Sequence, residues 1–178
     1  MQISQELPQF NVRNSLILIS AKHGLEIYKA HQGHIEKLKE FRIENPRYSD
    51  REGFFMSRSK NVGTIRTGSV GEISDEDIKR DFFQKWKGLI KENDFKEITK
   101  EVDDVYLFSP GNLITEFKDE MPSEVANKIA MEFQKNYLGA HPFKILEKID
   151  QKLTEKISEI KDVPRTEEEK KILEIKQQ

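Results

Sequence analysis

Apolar and polar positions alternate along this chain in rhythms that change from segment to segment. Ser15-Leu16-Ile17-Leu18-Ile19-Ser20 is a continuous aliphatic run of strand length, the mark of a strand covered on both faces. After a turn at Lys22-His23-Gly24, the run Leu25-Glu26-Ile27-Tyr28-Lys29-Ala30 alternates and predicts a half-buried strand. A second turn at Gln32-Gly33-His34 leads into a third strand, Ile35 to Ile43, whose apolar set is Ile35, Leu38, Phe41 and Ile43. Pro46 ends this meander. From Arg47 to Ser74 the periodicity disappears, over a stretch long enough to imply a use of its own.

The second half mixes helical and strand patterns. Ser74 is a good N-cap, followed by Asp75, Glu76 and Asp77 where a helix dipole favours negative charge. Ile78, Phe82, Phe83, Trp86, Leu89 and Ile90 then share one helical face. Val105-Tyr106-Leu107-Phe108 predicts a buried strand closed by Ser109-Pro110-Gly111, and Pro110 suits the first position of a helix through Leu113, Ile114 and Phe117. Pro122 and Ser123 open a further predicted helix with Val125, Ile129 and Phe133 four apart, Tyr137 following and Gly139 as C-cap. Phe143 to Ile149 reads as a last strand, with a helix carrying Leu153, Ile157 and Ile160 after it. Beyond Pro164, Thr166-Glu167-Glu168-Glu169 forms a capping box for a short helix with Ile172, Leu173 and Ile175. The order β-β-β-loop-α-β-α-α-β-α predicts an α/β fold, a mixed β-sheet of about five strands with helices packed on it. The chain divides into an N-terminal arm (1–14), one α/β domain (15–162) and a charged helical tail (163–178).

Composition narrows the chemistry. The chain has 178 residues and no Cys, which excludes disulfides and thiol nucleophiles and points to a reducing compartment. Leu16–Ile19 is the longest aliphatic run, far short of the roughly 20 residues that span a bilayer, and Met1 to Glu6 lacks the basic and apolar parts of a signal peptide, so a cytoplasmic location is expected. Charged residues make up 35% of the chain, yet 30 basic and 32 acidic side chains leave a net charge of only -2. Attraction to nucleic acid therefore has to come from local clustering.

One such cluster exists. Between positions 47 and 66 stand Arg47, Arg51, Arg58, Lys60 and Arg66 against only Asp50 and Glu52, a local charge of +3, with Tyr48, Phe54 and Phe55 interleaved. Arginines contact phosphates and aromatic rings stack on unpaired bases, so these eight residues are the candidate RNA contacts, tied to the ribosome or another RNA as partner. The glycines Gly63, Gly68 and Gly71 give the segment its turns. Gly63 and Gly68 have phosphate-loop spacing, but Ser69 stands where that motif needs Lys, so no nucleotide or other cofactor is predicted. His31 and His34 flank a turn without a third ligand, and no metal site is predicted. Asp103 and Asp104, with Glu101 beside them, could hold Mg²⁺ as in a metal-dependent phosphoesterase, but they precede their strand, whereas useful carboxylates in such sheets stand at the carboxyl ends. No G-x-S-x-G elbow is present and no catalytic residue is assigned.

The segment Ser15-Leu16-Ile17-Leu18-Ile19-Ser20-Ala21-Lys22-His23-Gly24-Leu25-Glu26-Ile27-Tyr28, the turn at Gln32-Gly33-His34, the long glycine-bearing loop, Val105-Tyr106-Leu107-Phe108-Ser109-Pro110-Gly111 and the closing Phe143 to Ile149 resemble the middle domain of archaeo-eukaryotic release factors. They also resemble its bacterial and archaeal relatives, the host attachment protein-like and Pelota-like families. The resemblance covers about Ser15 to Leu153. It implies the fold and a loop directed at the ribosome. In true release factors that loop carries a Gly-Gly-Gln tripeptide; here Gly68-Ser69-Val70-Gly71 is the nearest counterpart and has no Gln. The resemblance thus implies a non-catalytic ribosome- or RNA-associated factor in translation. A protein–protein adaptor, acting through the tail helix or by self-association, is the alternative expectation.

Overall fold

The computed structural model describes residues 1–43 and 74–162. Five strands form one sheet in the order β3-β2-β1-β4-β5: β1 (Ser15–Ala21), β2 (Gly24–His31), β3 (His34–Arg42), β4 (Asp104–Phe108) and β5 (Ile129–Phe133). The β1–β2 and β2–β3 pairs are antiparallel, while β1, β4 and β5 run parallel. The aliphatic run of β1 is central and buried along its whole length.

Alternation along β1 feeds two cores. Leu16 and Leu18 join Leu25, Ile27, Val105 and Leu107 on one face, covered by α1 (Asp75–Leu89), α2 (Asn93–Lys100) and α3 (Gly111–Asp119) through Phe82, Trp86, Phe95 and Phe117. Ile17 and Ile19 join Tyr28, Tyr106 and Phe108 on the other face, covered by Ile145, Leu146 and Ile149 of α5 (Pro142–Asp162). The fold is a helix–sheet–helix sandwich around a mixed five-stranded sheet. Each large side chain sealed in it, such as Phe82 or Trp86, contributes about 1.5–3 kcal/mol of burial. The N-terminal arm is part of the second core: Leu7 and Phe10 pack against it, and Phe10 meets Tyr106 edge-on at 5.9 Å.

Backbone detail explains the meander. The β2–β3 turn has positive φ at both Gln32 (46°) and Gly33 (73°), the twist-matched form for a two-residue hairpin. A bulge where Ile27 and Tyr28 face β3 skips Leu38, so Ile35 lies with the α5-side core while Leu38 and Phe41 lie with the other. That is why the apolar set of β3 departs from a strict period of two. At the opposite hairpin a Cβ on Gly24 would sit inside van der Waals contact of the Phe41 carbonyl, so no larger residue fits without moving β3.

Three readings of the second half need correction. The predicted helix from Ser123 to Tyr137 is a single turn, α4 (Ser123–Ala126), followed by strand β5. Ile129 and Phe133 are four apart, but pairing to β4 makes the stretch a strand: a bulge that skips Ala130 sends Ile129 to the core under α1 and leaves Met131 and Phe133, two apart, in the other. The predicted strand Phe143–Ile149 is the start of α5, which runs unbroken to Asp162 because Ile145, Leu146, Ile149 and Leu153 follow a helical period. Gly139, with φ 77°, sits in the loop before α5 and caps no helix. A separate short helix, α2, follows α1 and buries Phe95. The two exchanges cancel, leaving five strands.

Candidate functional site

All the residues that the sequence offers for RNA contact (Arg47, Tyr48, Arg51, Phe54, Phe55, Arg58, Lys60 and Arg66) and the glycines Gly63, Gly68 and Gly71 lie outside the described residues. The described residues on either side fix where that segment attaches. Ile43 donates its N–H to the His23 carbonyl at 2.8 Å, and Lys85 Nζ donates to the Arg42 carbonyl at 2.8 Å. On the return side Ser74 caps α1 in a reciprocal box with Asp77, and Lys22 Nζ pairs with Asp75 at 2.7 Å. The hydrogen bond from Lys22 holds the Asp75 carboxyl below its ordinary value. Both ends of the segment are thus fastened to the β1–β2 turn, Lys22 and His23. This corner is at the carboxyl end of β1, the end where open α/β sheets receive their ligands.

A cleft of about 610 Å³ runs along β2 and β3, from Arg42 toward Ile35, lined by Tyr28, Ala140, His141 and Pro142 among others. Its floor is Glu26, 1% exposed, on the α5 side of β2. The Glu26 carboxylate is fully engaged. Oε1 accepts from Lys37 Nζ at 3.3 Å and from Arg42 Nη2; Oε2 accepts from the Tyr28 hydroxyl at 3.2 Å and the Gly139 N–H at 3.4 Å. Lys37 also pairs with Glu40 at 2.7 Å. Burial first, and then the Glu26 charge, push the Tyr28 hydroxyl above its ordinary value, while the bond to Glu40 leads in raising Lys37. Charges buried this deeply persist only when paired and hydrogen-bonded, and here they are. The cluster joins three segments: β2, β3 two residues before position 44, and the loop entering α5. Its size suits a small ligand, but its polar heads are spent on each other, so it acts as a clasp and supplies no nucleophile–base pair.

The alternation of Leu25 to Ala30 predicts a half-buried strand and does not by itself mark this cluster. The available signal was parity: Glu26 shares its face with Tyr28 and Ala30, both buried, and not with Lys29.

The other candidates serve the scaffold. Arg13 Nη1 holds both oxygens of Asp104 at 2.8 and 2.9 Å, Asp103 accepts the Asn14 N–H at 2.9 Å, and Glu101 pairs with Lys29 at 3.0 Å. Asp103 and Asp104 fasten the N-terminal arm at the amino end of β4, and Glu101 ties the same end to β2. Among the described residues no three His, Asp or Glu side chains converge as metal ligands. His34 Nδ1 lies 3.0 Å from the Gln32 carbonyl, and His141 Nδ1 accepts the Phe143 N–H at 3.3 Å at the start of α5. No helix among the described residues is long and apolar enough to cross a membrane.

Neither a protein-family model nor a curated protein matches the sequence. Among solved structures, the crystal structure of the archaeal translation termination factor aRF1 is similar to this chain at 15% identity with a TM-score of 0.40; the match covers 67% of this chain and 29% of that one, so this chain spans less than a third of that protein's length.

Proposed function

We propose that this chain is a non-catalytic factor that associates with RNA, the ribosome foremost, through Arg47–Arg66, and that it is related to the middle domain of release factors. One observation carries the reading. Residues 47–66, with a local charge of +3 and three aromatic rings in a nearly neutral chain, lie within a segment, 44–73 (net +1 with Glu44 and Glu72), whose flanking residues are tethered to one corner of the sheet. Phosphate contact accounts for the arginines, and stacking or wedging accounts for Tyr48, Phe54 and Phe55. The missing Gly-Gly-Gln sequence leaves peptide release without its motif, so binding is the activity assigned. The partner and the cytoplasmic setting belong to this proposal.

Co-sedimentation with ribosomes is the test. Binding is expected at low salt and is expected to weaken steeply as salt rises. Replacing Arg58, Lys60 and Arg66 with Glu should abolish most of it while the circular dichroism spectrum is retained. Pelleting that is absent at low salt, or equal in the triple variant, would refute the reading.

A second reading, self-association through the tail, is favoured by Ile157, which is 52% exposed on α5 where the row from Ile149 and Leu153 runs toward position 163. Truncation after Asp162 should then lower the mass measured by light scattering.

A further inference from the structure

Every cation of β2 and β3 is paired with a carboxylate, whereas α5 takes part in no ion pair among the described residues. Yet α5 carries Lys144, Lys148, Lys152 and Lys156, each four residues from the next. That spacing sets them in one slanting row along the helix, about 6 Å apart and about 18 Å from end to end. Their partners are neutral. Lys148 donates to Gln151 Oε1 at 2.8 Å, Lys152 to the Glu132 carbonyl and Lys156 to the Ala130 carbonyl at 3.3 Å. An ammonium has three donors, so one such bond leaves its charge uncompensated and donors to spare.

The row flanks a groove of about 430 Å³ between α5 and the end of β5. Lys135, Lys148 and Lys152 line it, together with Glu155 and a Glu132 that Lys118 already holds at 2.6 Å. Phe133 and Tyr137, both half-buried, give the groove an aromatic wall. The Phe133 ring lies flat on Phe108, with centroids 4.1 Å and planes 3° apart, and Tyr137 meets that same Phe108 edge-on at 5.2 Å. The other face of Phe133 carries the Lys152 ammonium, 4.7 Å from the ring centre. No strand lies beyond β5, so the groove is bounded on one side only and suits a polymer passing along it.

We propose that this groove binds single-stranded RNA, with the α5 lysines on successive phosphates and an unpaired base laid over Phe133 beside Tyr137. Lysines that follow a backbone and rings that stack on bases are the two parts of a single-strand groove, and here one groove holds both. Lys152 links them, since its ammonium need only leave the ring face for a phosphate to open that face to a base. An acidic peptide would leave the rings unused, and a membrane surface cannot follow cations into a groove. This second RNA-binding face does not depend on positions 47–66.

The test is fluorescence anisotropy of the full chain with a labelled oligouridylate of about 12 nucleotides, within the range that such grooves hold. At about 0.1 M salt, where charges more than about 10 Å apart are screened, Lys148→Gln with Lys152→Gln and Lys156→Gln should weaken binding about ten-fold or more. The slope of log affinity against log salt should fall by about 2, at about 0.7 per phosphate on a single strand. Lys91→Gln with Lys96→Gln and Lys100→Gln removes the same charge from exposed sites at α2, on the other face of the sheet, and should leave affinity nearly unchanged. Equal losses in the two variants, or no loss in the groove variant, would overturn the proposal, as would a wild-type chain that does not bind the oligonucleotide. Loss of binding to phosphatidylserine vesicles with RNA binding retained would overturn the choice of RNA. Should the groove variant fail to fold, Lys144→Gln with Lys148→Gln decides in the same way, since neither ammonium bonds a backbone carbonyl among the described residues. Arg58, Lys60 and Arg66 are intact in all of these variants, so failure here leaves the reading of 47–66 standing, and ribosome pelleting that ignores those three residues leaves the groove standing.

Discussion

At the amino end of β4, Asp103 and Asp104 stand side by side in partial contact with water, one taking a backbone N–H and the other an arginine whose side chain is largely exposed. At the carboxyl end of β1, Glu26 is alone in sequence among apolar neighbours, 1% exposed, and gathers four donors from two strands and a loop. Adjacent carboxylates draw the eye in a sequence, yet the solitary one carries the greater energetic stake. In a poorly polarisable interior each lost partner of a charge is felt strongly, whereas at the surface water and salt replace it. The contrast shows that burial, more than crowding, decides what a carboxylate does in this fold.

The largest effect should come from stranding Glu26. Lys37→Met with Arg42→Met leaves a buried carboxylate with only Tyr28 and Gly139 as donors, and chemical denaturation should show a loss of about 3 kcal/mol, the range found when one side of a buried pair is removed. Adding Glu26→Leu should regain most of that loss, because an apolar trio leaves no charge unpaired. If the triple variant is no more stable than the double, the carboxylate is not the cause. An intermediate effect is expected in alkali. The Tyr28 hydroxyl is raised above its ordinary value of 10, so its neutral form stabilises the fold at lower pH, and that contribution is lost as pH rises through the raised value. Ultraviolet titration of Glu26→Gln should lower the Tyr28 midpoint, because the Glu26 charge is the second cause of its rise after burial, and an unchanged midpoint would show that burial alone sets it. The smallest effect is predicted at the other end: Asp103→Asn with Asp104→Asn should leave the melting temperature almost unchanged, and a loss as large as that from Lys37→Met with Arg42→Met would erase the distinction between the two ends.

The first half of the described fold could be read directly because local signals agreed. The β1 run, both hairpin turns and the Ser74–Asp77 cap each point to the same elements. The second half misled where short apolar spacings fit two periods at once: Ile129 to Phe133 became a strand under pairing to β4, with a bulge that parts Ile129 from Met131 and Phe133, and Phe143 to Ile149 took the helical period under packing on the sheet. Glu26 escaped notice because alternation gives parity but does not say which parity the fold covers with α5. That depends on contacts more than a hundred residues apart, such as Gly139 to Glu26. The arginines and phenylalanines of 47–66 were singled out by composition alone and lie outside the described residues.

The attachment of positions 43 and 74 to one hairpin turn also bears on how this fold can change over time. The two anchors, Lys22 and His23, are neighbours in one turn, so the chain leaves and rejoins the scaffold at a single socket. Doubling the length of such an excursion costs only about 0.6 kcal/mol in closure entropy. Insertions between positions 43 and 74 leave both anchors in place, because Ile43 to His23 and Asp75 to Lys22 are contacts of the scaffold itself.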